Sequence, residues 1–223
     1  MPKEAAKNHE VSDLAPEDQL RLLWDRYGNL AYWVLAAAAL FIIARGGWNF
    51  MNAQKEAAIR KDYQACTTPD SYLAFAAKHP GHPLAGVAEE SVADNAYSSG
   101  SFTDALKSYS EAVSDLPAGP ARQQAKLGQA MALVSVGRTG EAEADLKALM
   151  ADASDLKTVR CEAGYHLANL EIAAGRAGEV QGISEELDKI DATNPFAIQA
   201  STLAAKGVSQ PGLSAPSISL GTP

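Results

Sequence analysis

His79 and His82 stand in a His-x-x-His spacing, which on one helical face would hold a metal ion. Here the two lie in His79-Pro80-Gly81-His82-Pro83, where two prolines and a glycine dictate a turn, so the imidazoles do not share a face and no zinc site is expected. An enzyme using this turn is an alternative that zinc content decides. His166 lies in an apolar run beside Tyr165 and Leu167, where a packed imidazole is the expectation. Cys66 and Cys161 belong to no Cys-x-x-Cys pair and to no zinc spacing. They are read as two small buried hydrophobes, with pairing in an oxidising compartment as the alternative. Gly175-Arg176-Ala177-Gly178 lacks the Lys-Ser/Thr and the preceding strand of a phosphate-binding loop. Glu141, Glu143 and Asp145 crowd the start of a helix, where they read as a solvated face favoured by the helix dipole. No set of residues makes a catalytic, cofactor or metal centre, and the expectation is a protein that is not an enzyme.

The elements around these residues carry more information. From Leu84 onward a pattern repeats: Gly100-Ser-Phe-Thr-Asp-Ala105, Gly137-Arg-Thr-Gly-Glu-Ala142 and Gly175-Arg-Ala-Gly-Glu-Val180. The leading glycines are 37 and 38 residues apart, and an alanine stands seven residues before each, at Ala93, Ala130 and Ala168. The small positions are followed by Tyr109/Ala112, Leu146/Leu149 and the weaker Ser184/Leu187. A period of this length with a central glycine predicts two antiparallel helices per repeat, the glycine ending the first in a left-handed conformation and the small residues allowing close approach. The pattern resembles the tetratricopeptide repeat, departing from it in the absent first-helix tryptophan, the lengthened spacing and Val180. The resemblance implies an all-α fold: a tetratricopeptide-like α-solenoid of helical hairpins over residues 67–206, closed by a cap helix at about Phe196–Lys206. Asp70 is read as the cap of a helix running through Lys78.

A stack of hairpins offers a groove lined by the first helix of each repeat. In register, its candidate partner-binding residues are Glu90, Asp94 and Tyr97, then Leu127, Met131 and Val134, then Tyr165, Asn169 and Ile172. Aromatics, a methionine and acids suit an extended or helical segment with apolar anchors and some positive charge. The alternative for each apolar position is burial in the core.

Tyr27–Trp48 is a different kind of segment. Leu30–Ala44 runs 15 residues without a charge, and the 22 residues from Tyr27 span roughly 33 Å as a helix, matching a bilayer core of about 30 Å. Tyr32 and Trp33 at one end and Trp48 with Phe50 at the other suit the headgroup level, which predicts a single transmembrane helix over 27–48. A buried core helix and a cleaved secretory signal are the alternatives. The apolar core begins late and Arg45-Gly46-Gly47-Trp48 is a poor cleavage site, so the segment is expected to stay attached. Before it, residues 1–12 read as disordered. Leu20, Leu23, Trp24 and Tyr27 form one stripe, read either as a short amphipathic helix in the membrane interface or as a polar extension of the span. After it, residues 49–66 read as a helical stalk, and the uncharged tail 207–223 as disordered.

Charge divides unevenly. Residues 1–65 carry 8 Lys/Arg and 8 Asp/Glu, so the net charge of −8 belongs entirely to the chain after them. An acidic domain argues against nucleic acid as a partner, since displacing counterions requires a basic face.

The order of features resembles the YfgM-like ancillary subunits of the SecYEG translocon. The likeness rests on Glu17-Asp18-Gln19 with Trp24 and Tyr27-Gly28, on Arg45-Gly46-Gly47-Trp48-Asn49, on Phe75-Ala76-Ala77-Lys78 and on Gly86–Val113. It implies a single-pass protein of a bacterial inner membrane with a cytoplasmic lead over 1–26 and a periplasmic repeat domain. The implied partners are the translocon, emerging chains and PpiD-type periplasmic chaperones, with no cofactor. The charges point the other way: Arg21 and Arg26 precede the span, but Arg45, Lys55, Arg60 and Lys61 follow it, and basic residues favour the cytoplasmic side. A cytoplasm-facing membrane scaffold in cell division or envelope assembly is therefore the alternative.

Overall fold

The computed structural model describes residues 16–207, leaving the lead before Pro16 and the tail after Gly207 outside it. Among the described residues there are nine helices and no strand. The first, α1 (Pro16–Gln64), is 49 residues long. Lead, apolar segment and stalk, read separately from the sequence, are one uninterrupted helix. No proline follows Pro16 until Pro69, and isolated glycines such as Gly28 weaken a helix by about 1 kcal/mol each without ending it. The lead from Pro16 is thus an extension of the apolar helix.

The chain divides at Ala58/Ile59 into two units. In the first, the side chains of Tyr32, Trp33, Ile42, Ile43 and Trp48 are exposed, Trp33 by 75 % and Trp48 by 68 %. Trp24 to Gln64 is the one helix among the described residues long and apolar enough to cross a membrane. The second unit begins at Ile59, earlier than residue 67, because Tyr63 in the last turn of α1 stacks on Tyr72 and Phe75 of α2 (Pro69–Lys78). A proline at the first helical position starts α2, and Thr68 caps it, accepting from the Ser71 N–H while Ser71 reaches back. The cap is therefore Thr68, not Asp70: Pro69 fixes the helical φ one residue after Thr68, which leaves Asp70 inside the first turn.

Six further helices form three pairs: α3 (Pro83–Ser98) with α4 (Phe102–Asp115), α5 (Pro120–Ser135) with α6 (Thr139–Ala151), and α7 (Lys157–Ala173) with α8 (Ala177–Asp191). The last, α9 (Pro195–Gly207), packs on α8 and α7. Packing is repeat-like, each helix meeting its neighbours in sequence, with α3 touching α5 and α5 touching α7. The three pairs turn in one way. Gly100, Gly137 and Gly175 have φ of 81°, 82° and 75°. The next residue donates five residues back: Ser101 to Ala96, Arg138 to Leu133 and Arg176 to Glu171. This is the Schellman ending, which needs a residue tolerant of positive φ. Around these turns the small positions Ala93, Ala105, Ala130, Ala142, Ala168 and Val180 are completely buried. Ser184, the weak position of the third pair, is also buried, and its hydroxyl is bonded to Ser201 on α9 at 3.0 Å.

Candidate functional site

The first helices of the pairs, α3, α5 and α7, carry the nine candidate residues, and their environments differ. On α3, Asp94 is exposed and Tyr97 and Glu90 are half-buried. Asp94 accepts a 2.5 Å hydrogen bond from the Tyr109 hydroxyl of α4. Tyr97 packs edge-on against Phe102, and its hydroxyl accepts from Ser135 of α5 at 3.2 Å, linking the first pair to the second. Burial, and then the neighbouring Asp94 charge, push the Glu90 carboxyl up to about 7. Burial and the hydrogen bond to Asp94 hold the Tyr109 phenol well above its ordinary range.

On α5 the expectation fails in part. Leu127 is 3 % exposed and Met131 5 %, so both are packed interior, and only Val134 of that trio is partly exposed. Where α3 has Glu90 and Asp94, α5 has the apolar Leu127 and Met131, and Leu127 joins the core cluster of Leu146, Leu149 and Leu167. On α7, Tyr165 lies against Phe196 of α9, Asn169 donates to the Tyr165 carbonyl at 2.9 Å, and Ile172 packs on the core. All three are half-buried. The surface left by the nine is therefore Glu90, Asp94 and Tyr97 at one end, Tyr165, Asn169 and Ile172 at the other, and Val134 between them.

The residues singled out for chemistry have structural employment. His82 caps α3, its Nδ1 accepting from the Leu84 N–H at 3.1 Å. His79 stacks on Phe75 and lies 3.5 Å from Asp62, a carboxylate that also pairs with Lys78. No group of residues among those described is arranged to hold a metal ion. Burial drives the His166 imidazole down to about 4, which leaves it neutral at pH 7. Cys66 is half-buried, Cys161 fully buried, and both are free thiols. Glu141 pairs with Arg138, and Glu143 with Lys147 and Arg176.

Two groups were missed from the sequence: Glu171, only 2 % exposed and paired with Arg176, and Glu89, 9 % exposed; Tyr109, a repeat position, is 1 % exposed. The only signal for Glu171 is its place four residues before Gly175 and five before Arg176. Two concavities lie elsewhere in the second unit. One of about 330 Å³ lies among α2, α3 and α4 at Leu73, Val92 and Glu111. The other, of about 180 Å³, lies among α4, α5, α6 and the α6–α7 loop at Lys126, Asp145 and Asp155. None of the nine residues lines either.

No known protein family, curated protein or solved structure matches the chain. Among the described residues, Glu90 and Asp94 of α3 enter no ion pair and stand on the same helix as the Tyr97 ring.

Proposed function

We propose that this chain is a membrane-anchored protein–protein interaction module, its apolar helix crossing a bacterial inner membrane once and its helical pairs forming a tetratricopeptide-like solenoid that binds polypeptide. The observation that carries the reading is α1: its large apolar side chains are exposed along the segment, a surface that lipid accommodates and water does not. The acids of α3 and its one aromatic, Tyr97, supply the binding face. On the resemblance to YfgM-like subunits, the module is an accessory of the SecYEG translocon with a periplasmic repeat domain, contacting emerging chains or PpiD-type chaperones. No catalytic step or cofactor belongs to this reading.

Fusions of alkaline phosphatase and of green fluorescent protein at Lys206 test it. Phosphatase activity without fluorescence is expected, and the reverse sinks the translocon reading. Arg45, Lys55, Arg60 and Lys61 favour the second reading, a cytoplasm-facing scaffold in cell division or envelope assembly. Crosslinking with mass spectrometry on native membranes separates the two, Sec components dominating under the first and absent under the second.

A further inference from the structure

Glu89 lies on the face of α3 that meets α4, nine-tenths buried, and its Oε2 has no hydrogen-bond partner. The groups facing it from α4 are two more carboxylates, Glu111 and Asp115. Asp115 is turned to the Gly81 N–H at 3.1 Å, and Glu111 has only the exposed Lys107 at 3.9 Å. From α2, Lys78 and His79 are both directed at Asp62. Arg122 of α5 enters no ion pair. On α3 itself, Glu90 faces Asp94 rather than Glu89. No Lys or Arg among the described residues lies within ion-pair distance of Glu89. An ionised carboxylate in this place would lose water, gain no donor at Oε2 and repel two like charges.

We propose that the first helical pair is a proton-linked latch, closed with a proton on Glu89 and loosened when that proton leaves. Burial, reinforced by Asp115 and Glu111, pushes the Glu89 carboxyl up to about 7. A carboxyl raised in the folded state binds its proton more tightly there than in the open chain. The latch is therefore fully closed below the ordinary value of 4.5, weakens as pH rises through about 7, and changes no further above it. The transition lies where small pH changes move it, and, on the proposed reading that α3 carries the binding face, occupancy of that face is tied to pH.

Hydrogen exchange read by mass spectrometry tests this on the full chain in detergent micelles, with rates corrected for intrinsic pH dependence. Protection of residues 83–115 should fall tenfold or more between pH 5 and pH 8 relative to residues 157–191. Glu89→Gln should shrink that fall, leaving the part that Glu90, also raised to about 7, contributes. Glu89→Gln with Glu90→Gln should hold the protection nearly flat, while Glu90→Gln alone should leave most of the fall in place. Where Glu89→Gln prevents folding, Glu111→Lys decides, since a cation beside Glu89 should shrink the fall. A wild-type ratio constant with pH, a fall abolished by Glu90→Gln instead, or an unchanged fall in Glu111→Lys overturns the latch.

Discussion

Gly128 of α5 lies against the ring of Tyr109 of α4 so closely that a Cβ on the glycine would stand 2.4 Å from Cε1 of the ring. Tyr109 is held in place by burial and by its hydrogen bond to Asp94, so it has no free direction in which to retreat. Gly128→Ala should therefore destabilise the second unit by about 1–3 kcal/mol through overpacking, despite the better helix propensity of alanine. Chemical denaturation checks this. Combining the change with Tyr109→Leu should recover part of the loss, as expected if ring and methyl compete for one space.

The three pair turns make a second prediction, because their glycines have open space where a side chain would go. Sterics therefore leave only the backbone term. Gly100→Ala, Gly137→Ala and Gly175→Ala should each cost about 1–2 kcal/mol for a left-handed conformation, with similar values at all three. Thermal denaturation of the three variants tests it. A cost confined to one turn contradicts the equivalence of the pairs.

Arg176 and Glu171 make a third. Glu171 is buried, and Arg176, reaching both it and Glu143, joins the α7–α8 turn to α6. Arg176→Ala leaves a buried carboxylate with only Lys147 at 4.0 Å. Denaturation midpoints should rank wild type first, then Arg176→Ala with Glu171→Gln, then Arg176→Ala alone. The double variant falling below the single one would show that the ion pair is incidental.

The parts of this fold that were legible in the sequence were those governed by local rules. Positive φ selects glycine and close approach selects small residues, so Gly100, Ala93 and Ala105 betray the turn and the crossing before any helix is placed. The candidate face was less legible, because it depends on which positions of a helix its neighbours cover and on the side chains that stand there. On α3 the repeat register leaves Asp94 exposed and Glu90 half-buried. The same register on α5 puts Leu127 and Met131 in the interior, whereas on α7, which also touches four helices, Tyr165, Asn169 and Ile172 are half-buried. Glu171 was invisible for a related reason. A glutamate in a helix reads as solvated, and only the fold back at Gly175 brings Arg176 over it.

That division between face and interior can be measured. Leu127→Ala should cost about 2–5 kcal/mol by opening a cavity in the core cluster it shares with Leu146 and Leu167, so any loss of partner binding should follow loss of fold. A photoactivatable phenylalanine at Tyr97 or Tyr165, both half-buried on first helices, should instead capture a partner polypeptide from native membranes while denaturation midpoints stay within a few degrees of wild type. The same group at Leu127 should yield crosslinks only within the chain. Partner adducts at Leu127 as abundant as at Tyr97 would mean that the first helices open to admit the partner, and the binding face would then have to be redrawn through the core of α5.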